Sequence, residues 1–163
     1  MRVRDWLELA VSIEKRSAEL YAYFSEIFRN HRELADYWRQ MEADEKRHKS
    51  ILVEVIHGLE SDDGDKIIGE AAAEKTEKLL SCVNDDLSKI FNSLDDAYEC
   101  AHELEEKEVE VIFDLLREDS IGRYDGVHTL LKEDQEHLQK LIDFSDRFGK
   151  AEWRKLIPAA KKD

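Results

Sequence analysis

The sequence predicts an all-α protein: an antiparallel four-helix bundle in which one long crossover joins the second helix to the third. Three observations carry that prediction. Helix breakers are scarce, with one proline, Pro158, and six glycines, Gly58, Gly64, Gly69, Gly122, Gly126 and Gly149, so long stretches run uninterrupted. Apolar residues recur at alternating steps of three and four along those stretches, which places them on one side of a helix. Turn-forming residues fall where two helical hairpins need them.

The first helix is expected from about Arg4 to Arg29 and the second from about His31 to Leu59. The third is expected from about Ser93 to Glu118 and the fourth from about Ile121 to Phe148. Tight connections make the first pair and the second pair antiparallel hairpins. Residues 61–92 exceed what a hairpin needs and are expected to cross the bundle, with weak helical periodicity from Ala71 to Leu80. Residues 150–163 are expected to form a short tail helix in which Trp153 and Leu156 pack back on the body.

A chain of 163 residues is expected to form one domain, 1–163, with a core of its own. Charged residues make up 39% of it, but 42% hydrophobic content with strong periodicity argues against disorder. The net charge of -14 disfavours nucleic acid and anionic membranes as partners, because both select clusters of Lys and Arg. Cys82 and Cys100 stand eighteen apart without a C-x-x-C motif and read as reduced, half-buried thiols. No stretch is long and apolar enough for a signal peptide or a membrane span, so a cytoplasmic location is expected.

On a seven-residue seam the first helix reads Leu7, Ala10, Glu14, Ser17, Tyr21, Phe24, Phe28. The second reads Leu34, Trp38, Met41, Glu45, His48, Leu52, Val55, Leu59. The third reads Tyr98, Ala101, Glu105, Glu108, Ile112, Leu115, and the fourth Val127, Leu130, Asp134, His137, Leu141, Phe144, Phe148. Each seam is apolar except in its middle. Residues equidistant from a hairpin turn share a level, so Glu14 meets Glu45 if the turn lies beside Asn30 and His31. Glu105 meets Asp134 if the second turn lies among Asp119, Ser120 and Gly122. The chain is thus a twofold repeat, Glu then Glu-x-x-His followed by Glu then Asp-x-x-His.

An acid three residues before a histidine is by itself a weak signal in so acidic a chain. With 39 acids in 163 residues, one or two of the six histidines would have such a neighbour by chance, and five do. The seam discriminates among them. Glu54 with His57, Glu99 with His102 and Asp125 with His128 read as solvated pairs, and His31 as a turn or helix-start residue. Glu45 with His48 and Asp134 with His137 lie on the seam, where each alone reads as a buried ion pair. Together with Glu14 and Glu105 they put four carboxylates and two imidazoles into one apolar layer, at roughly several kcal/mol per uncompensated charge. Two divalent metal ions balance that layer with both histidines neutral. Oxygen donors with one nitrogen per metal suit iron, manganese or a mixed pair better than a closed zinc site.

These stretches resemble the rubrerythrins among the ferritin-like di-iron carboxylate proteins. IEKRSAELYAYF is similar to the first helix of that family, with Glu14 at its ligand position and Tyr21 seven residues on. EADEKRHKSI is similar to its second-helix motif, LEEKEVEVIF to its third and KEDQEHLQKL to its fourth. The likeness runs from about Leu7 to Phe148 outside the crossover. It implies a ferritin-like bundle with one Glu from each of two helices and an acid-x-x-His motif from the other two, holding two iron ions. Glu45 and Asp134 would bridge them, Glu14 and Glu105 would be terminal ligands, and His48 and His137 would bind one ion each. Glu108 matches the extra glutamate typical of rubrerythrins; a reversed second hairpin would bring it near His48 and permit exchange of His for Glu on oxidation. A protonated or water-bridged core acid is the other reading of Glu108. Ser17 is its partner in the repeat, so two unequal metal sites are expected.

Tyr21 and Trp38, one turn beyond the carboxylates, read as core packing, with gating or radical duty as the second reading of both. Cys100 and His102 read as structural. Asp134 is one methylene shorter than the family's usual Glu, so its bridge is strained or gives way to coordination of a single metal. No rubredoxin-type cysteine module exists in this chain, so electrons are expected from an external donor such as a rubredoxin-like protein. The implied activity is reduction of hydrogen peroxide, or dioxygen, in oxidative-stress defence, with Glu108 and Tyr21 as candidate catalytic residues. Oxidation and handling of iron is a second reading, and a non-catalytic bundle held together by metal is a third. A homodimer is expected by analogy.

Overall fold

A computed structural model describes residues 1–117 and 124–148. Among them are six helices: α1 (Val3–Ile27), α2 (Arg32–Gly58), α3 (Ser61–Gly64), α4 (Glu70–Asp86), α5 (Leu94–Leu116) and α6 (Asp125–Phe148). The long helices α1, α2, α5 and α6 lie within a few residues of the predicted spans. The expected tail helix, the turn at Asp119–Gly122 and the Leu115 side chain lie outside what is described.

The seam positions explain the packing. Every seam residue of α1, α2 and α6 is buried, and in α5 Ala101, Glu105, Glu108 and Ile112 are buried while Tyr98 is half-buried. Helix α1 lies along α2, α5 along α6, and α2 against α6. The first hairpin closes where the sequence places its turn, with the His31 amide donating to the Phe28 carbonyl at 2.8 Å. Gly126 permits the close approach of α6 to α2, since a Cβ there would lie 2.6 Å from Val55 Cγ2.

Helix α4 is longer than the weak periodicity of residues 71–80 suggests. Its buried face is made of Ala72, Ala73, Thr76, Leu79 and Val83, so small residues carry little apolar signal yet allow α4 to settle against α1 and α5. Trp6 Nε1 donates to Thr76 Oγ1 at 2.8 Å, and the Thr76 hydroxyl donates in turn to the Ala72 carbonyl at 2.9 Å. Thr76→Val keeps the shape but leaves a buried indole N–H without an acceptor, and should cost about 1–3 kcal/mol by denaturant unfolding. Pairing it with Trp6→Phe should recover part of that loss, because no buried donor then remains unmatched.

Candidate metal centre

Glu14, Glu45, His48, Glu105, Glu108, Asp134 and His137 are all buried, none more than 4% exposed. The helix pairs bring them together at the polar middles of their seams. His48 Nδ1 lies 3.5 Å from Glu14 Oε2, 3.4 Å from Glu45 Oε2 and 3.3 Å from Asp134 Oδ1. His137 Nδ1 lies 3.1 Å from Glu45 Oε1 and 3.2 Å from Glu105 Oε2. Glu45 therefore turns one oxygen to each imidazole, and the two rings stack with centroids 4.9 Å apart. Asp134, with its shorter arm, faces His48.

Donor atoms of Glu45, His48 and His137 lie within 4.8 Å of one another, and so do those of Glu45, Glu105 and Glu108. The Ser17 hydroxyl donates to Glu108 Oε1 at 2.8 Å. Tyr21 is more than packing, since its hydroxyl donates to Glu105 Oε1 at 2.5 Å while its ring stacks on Trp38 with centroids 5.8 Å apart. Trp38 and Phe24 close the adjacent core in an edge-on contact at 5.0 Å.

No lysine or arginine is buried among the described residues, so the carboxylates raise one another. Burial, then the charges of Glu45 and Glu108, push Glu14 well above the usual carboxylate range. Burial and the neighbouring glutamates do the same to Glu108. Glu105 rises through burial and Glu45 against the pull of His137. Burial pushes Asp134 up to about 8, although His48 opposes it. Burial also works against charge on Glu45, but the imidazoles of His137 and His48 outweigh it and hold that carboxylate low. Both imidazoles are pushed up, because burial is overcome by the carboxylates around them.

The residues fit a pair of metal ions. Glu14 Oε2, both oxygens of Glu45 and of Asp134, and His48 Nδ1 are buried without a hydrogen-bond partner, a cost that bound cations would remove. Their convergence supplies hard oxygen donors with one imidazole on each side, a set suited to iron or manganese.

The outer faces of the histidines use residues that the seam does not reveal. His137 Nε2 lies 3.4 Å from Asp44 Oδ2, and Asp44 is held by Lys140 at 2.6 Å, Gln40 at 3.1 Å and Arg47 at 3.3 Å. His48 Nε2 lies 3.0 Å from Glu133 Oε2, which also meets Arg47 at 3.0 Å. Each of these acids directly precedes one motif's carboxylate and faces the other motif's histidine. The doubled acid, Asp44-Glu45 and Glu133-Asp134, was the available signal. Such partners fix the tautomer and orientation of a ligating ring. Asp44→Asn should therefore weaken zinc binding on the His137 side by about 10–100-fold, read by calorimetric titration.

Away from the centre, Glu54, His57, Glu99, Asp125 and His128 are exposed and His102 is half-buried, as solvated pairs should be. Cys82 and Cys100 are free and half-buried, and burial pushes the Cys100 thiol up to about 12. No helix among the described residues is long and apolar enough to cross a membrane.

A helical bundle that gathers carboxylates and two histidines around its axis is a ferritin-like carboxylate scaffold for a dinuclear metal centre. The chain belongs to the rubrerythrin family, whose model matches residues 5–141. Its fold is similar to that of a crystal structure from Thermotoga maritima, described provisionally as a ferritin-like diiron-carboxylate protein. The two are 18% identical with a TM-score of 0.69, over 92% of this chain and 97% of that one; at that identity the likeness shows the shared fold. No curated protein matches the chain significantly.

Proposed function

We propose that this chain is a di-iron redox enzyme that reduces hydrogen peroxide, or dioxygen, using electrons from a separate donor protein. The observation that supports it most is Glu108, a buried carboxylate in one cluster with Glu45 and Glu105, one more acid than two divalent ions need for balance. Two iron ions bound in the layer would supply electrons and polarise the oxygens of the oxidant. Glu14, Glu45, Asp134 and His48 would hold one ion, and Glu45, Glu105 and His137 the other. Ser17 fixes one oxygen of Glu108, keeping a further anion beside the centre for its more oxidised state. Tyr21 fixes one oxygen of Glu105, orienting the other, and the Tyr21–Trp38–Phe24 wall excludes water on that side. The free half-buried cysteines support a reducing, cytoplasmic setting.

Anaerobic loading with ferrous ion followed by stopped-flow mixing with peroxide or oxygen tests this reading. Rapid oxidation of two irons per chain, reversed on re-reduction, is expected; growth of a mineral would favour iron storage, and inertness a structural role for the metal. Glu108→Ala should slow the peroxide reaction by about 10–100-fold with metal content near normal. Loss of metal in that variant would instead make Glu108 an essential ligand.

A further inference from the structure

We propose that a small apolar cavity beside the carboxylate layer is a dioxygen-binding site that feeds the centre, an inference that rests on the redox reading above. The cavity lies among four helices, bounded by Ala10 of α1, Leu52 of α2, Leu79 of α4 and Val111 of α5, with Glu14 and Glu108 also on its wall. Its volume is about 20 Å³, room for about one water-sized molecule. All six of these side chains are buried.

The space follows from the sequence. Ala10 is the smallest apolar residue on the α1 seam, one helical turn before Glu14, and the crossover helix α4 covers it without filling it. A retained water needs two to four polar partners. This wall offers the two glutamates, the lower limit of that number, because the Trp6 indole also on it donates to Thr76 and Glu108 Oε1 accepts from Ser17. An apolar diatomic molecule loses nothing by entering such a space, whereas hydrogen peroxide must shed hydrogen bonds to water at both ends. A different opening, between α1 and α2, also reaches Glu14 but carries Lys15, Glu19, Glu42, Lys46 and Lys49 beside Ala18 and Ala22, charged groups that a hydrated solute can meet. Glu14 thus stands between an apolar space and a charged cleft, and the apolar one selects dioxygen.

The test uses the full chain loaded with zinc, which binds without redox chemistry, under raised oxygen pressure. Paramagnetic broadening of the methyl signals of Leu52 and Leu79, each 2% exposed, and of Ala10 and Val111 should exceed that of Leu130, 1% exposed, and of the partly buried Leu80 and Leu131. Equal broadening at all of them overturns the proposal. Ala10→Leu should abolish the excess broadening and, in the ferrous-loaded protein, lower the ratio of dioxygen to peroxide oxidation rates by about tenfold. An unchanged ratio also overturns it. Should Ala10→Leu fail to fold by circular dichroism, Val111→Phe fills the same space from α5 and is held to the same two outcomes. If the wild-type ferrous protein reacts with neither oxidant, the redox reading fails by itself, while the broadening still decides whether the cavity takes dioxygen.

Discussion

Stripped of metal, this protein should lose stability as the pH rises from about 4 to 8, and saturating zinc or ferrous ion should raise its melting midpoint by more than about 15 °C. The pH trend follows from the buried layer. Asp134 titrates near 8 in the fold against 3.8 ordinarily, and Glu14, Glu105 and Glu108 are raised as well. A group whose folded pKa is raised binds more protons folded than unfolded, so the stability it lends is complete below the unfolded value and disappears as pH climbs through the folded one. His48 and His137, also raised, act in the same direction above their ordinary range near 6.5. Glu45 and Asp44 are lowered and act oppositely, weakening the fold only as strong acid protonates them. Four carboxylates and two imidazoles outnumber these two, so the metal-free protein should be firmer at pH 5 than at pH 8. Metal reverses the trend by binding the ionised form. Each site contributes about 4 kcal/mol when free metal stands a thousandfold above its dissociation constant, and a chain this size gains about 2–4 °C per kcal/mol. Melts of chelator-treated and metal-loaded protein at both pH values check this; a metal-free protein equally stable at both would contradict it.

The second large effect is expected from Glu45→Gln. Among the described residues Glu45 alone places an oxygen within 4 Å of each of the two imidazoles, 3.4 Å from His48 and 3.1 Å from His137. Replacing it should therefore abolish tight binding of both ions, whereas Asp134→Asn, which faces His48 at 3.3 Å, should weaken one and spare the other. The metal-free Glu45→Gln protein should also be less stable, by about 3 kcal/mol, since each buried imidazole loses an ionised partner while keeping the acid behind it, Glu133 at His48 and Asp44 at His137. Cobalt titration followed by its visible absorption gives the stoichiometry, and denaturant unfolding gives the stability. Retention of two tightly bound ions would show that the halves do not depend on a shared carboxylate.

Periodicity makes the bundle legible in the chain itself, because seams of apolar residues three and four apart can hide only against other helices. The seven central residues are legible for the complementary reason, that acids and imidazoles on a buried stripe need a common explanation. The length of α4 is less legible, since a face of Ala72, Ala73 and Thr76 has little hydrophobic contrast and is fixed by a contact with Trp6 seventy residues away. Asp44 and Glu133 are missed because they lie one position off the seam, where a helix of 3.6 residues per turn still lets a side chain reach behind a neighbouring ring. Tyr21 is placed correctly beside the layer, but its hydroxyl contact with Glu105 of α5 depends on how separate helices are set around the core, which spacing within one helix does not encode.

Crystals grown anaerobically with ferrous ion and measured at the iron absorption edge test the central claim most directly. Two anomalous peaks per chain are predicted, both against Glu45, one also beside Glu14, His48 and Asp134 and the other beside Glu105 and His137. A layer with no peak, or with these acids turned outward to solvent, would contradict the account.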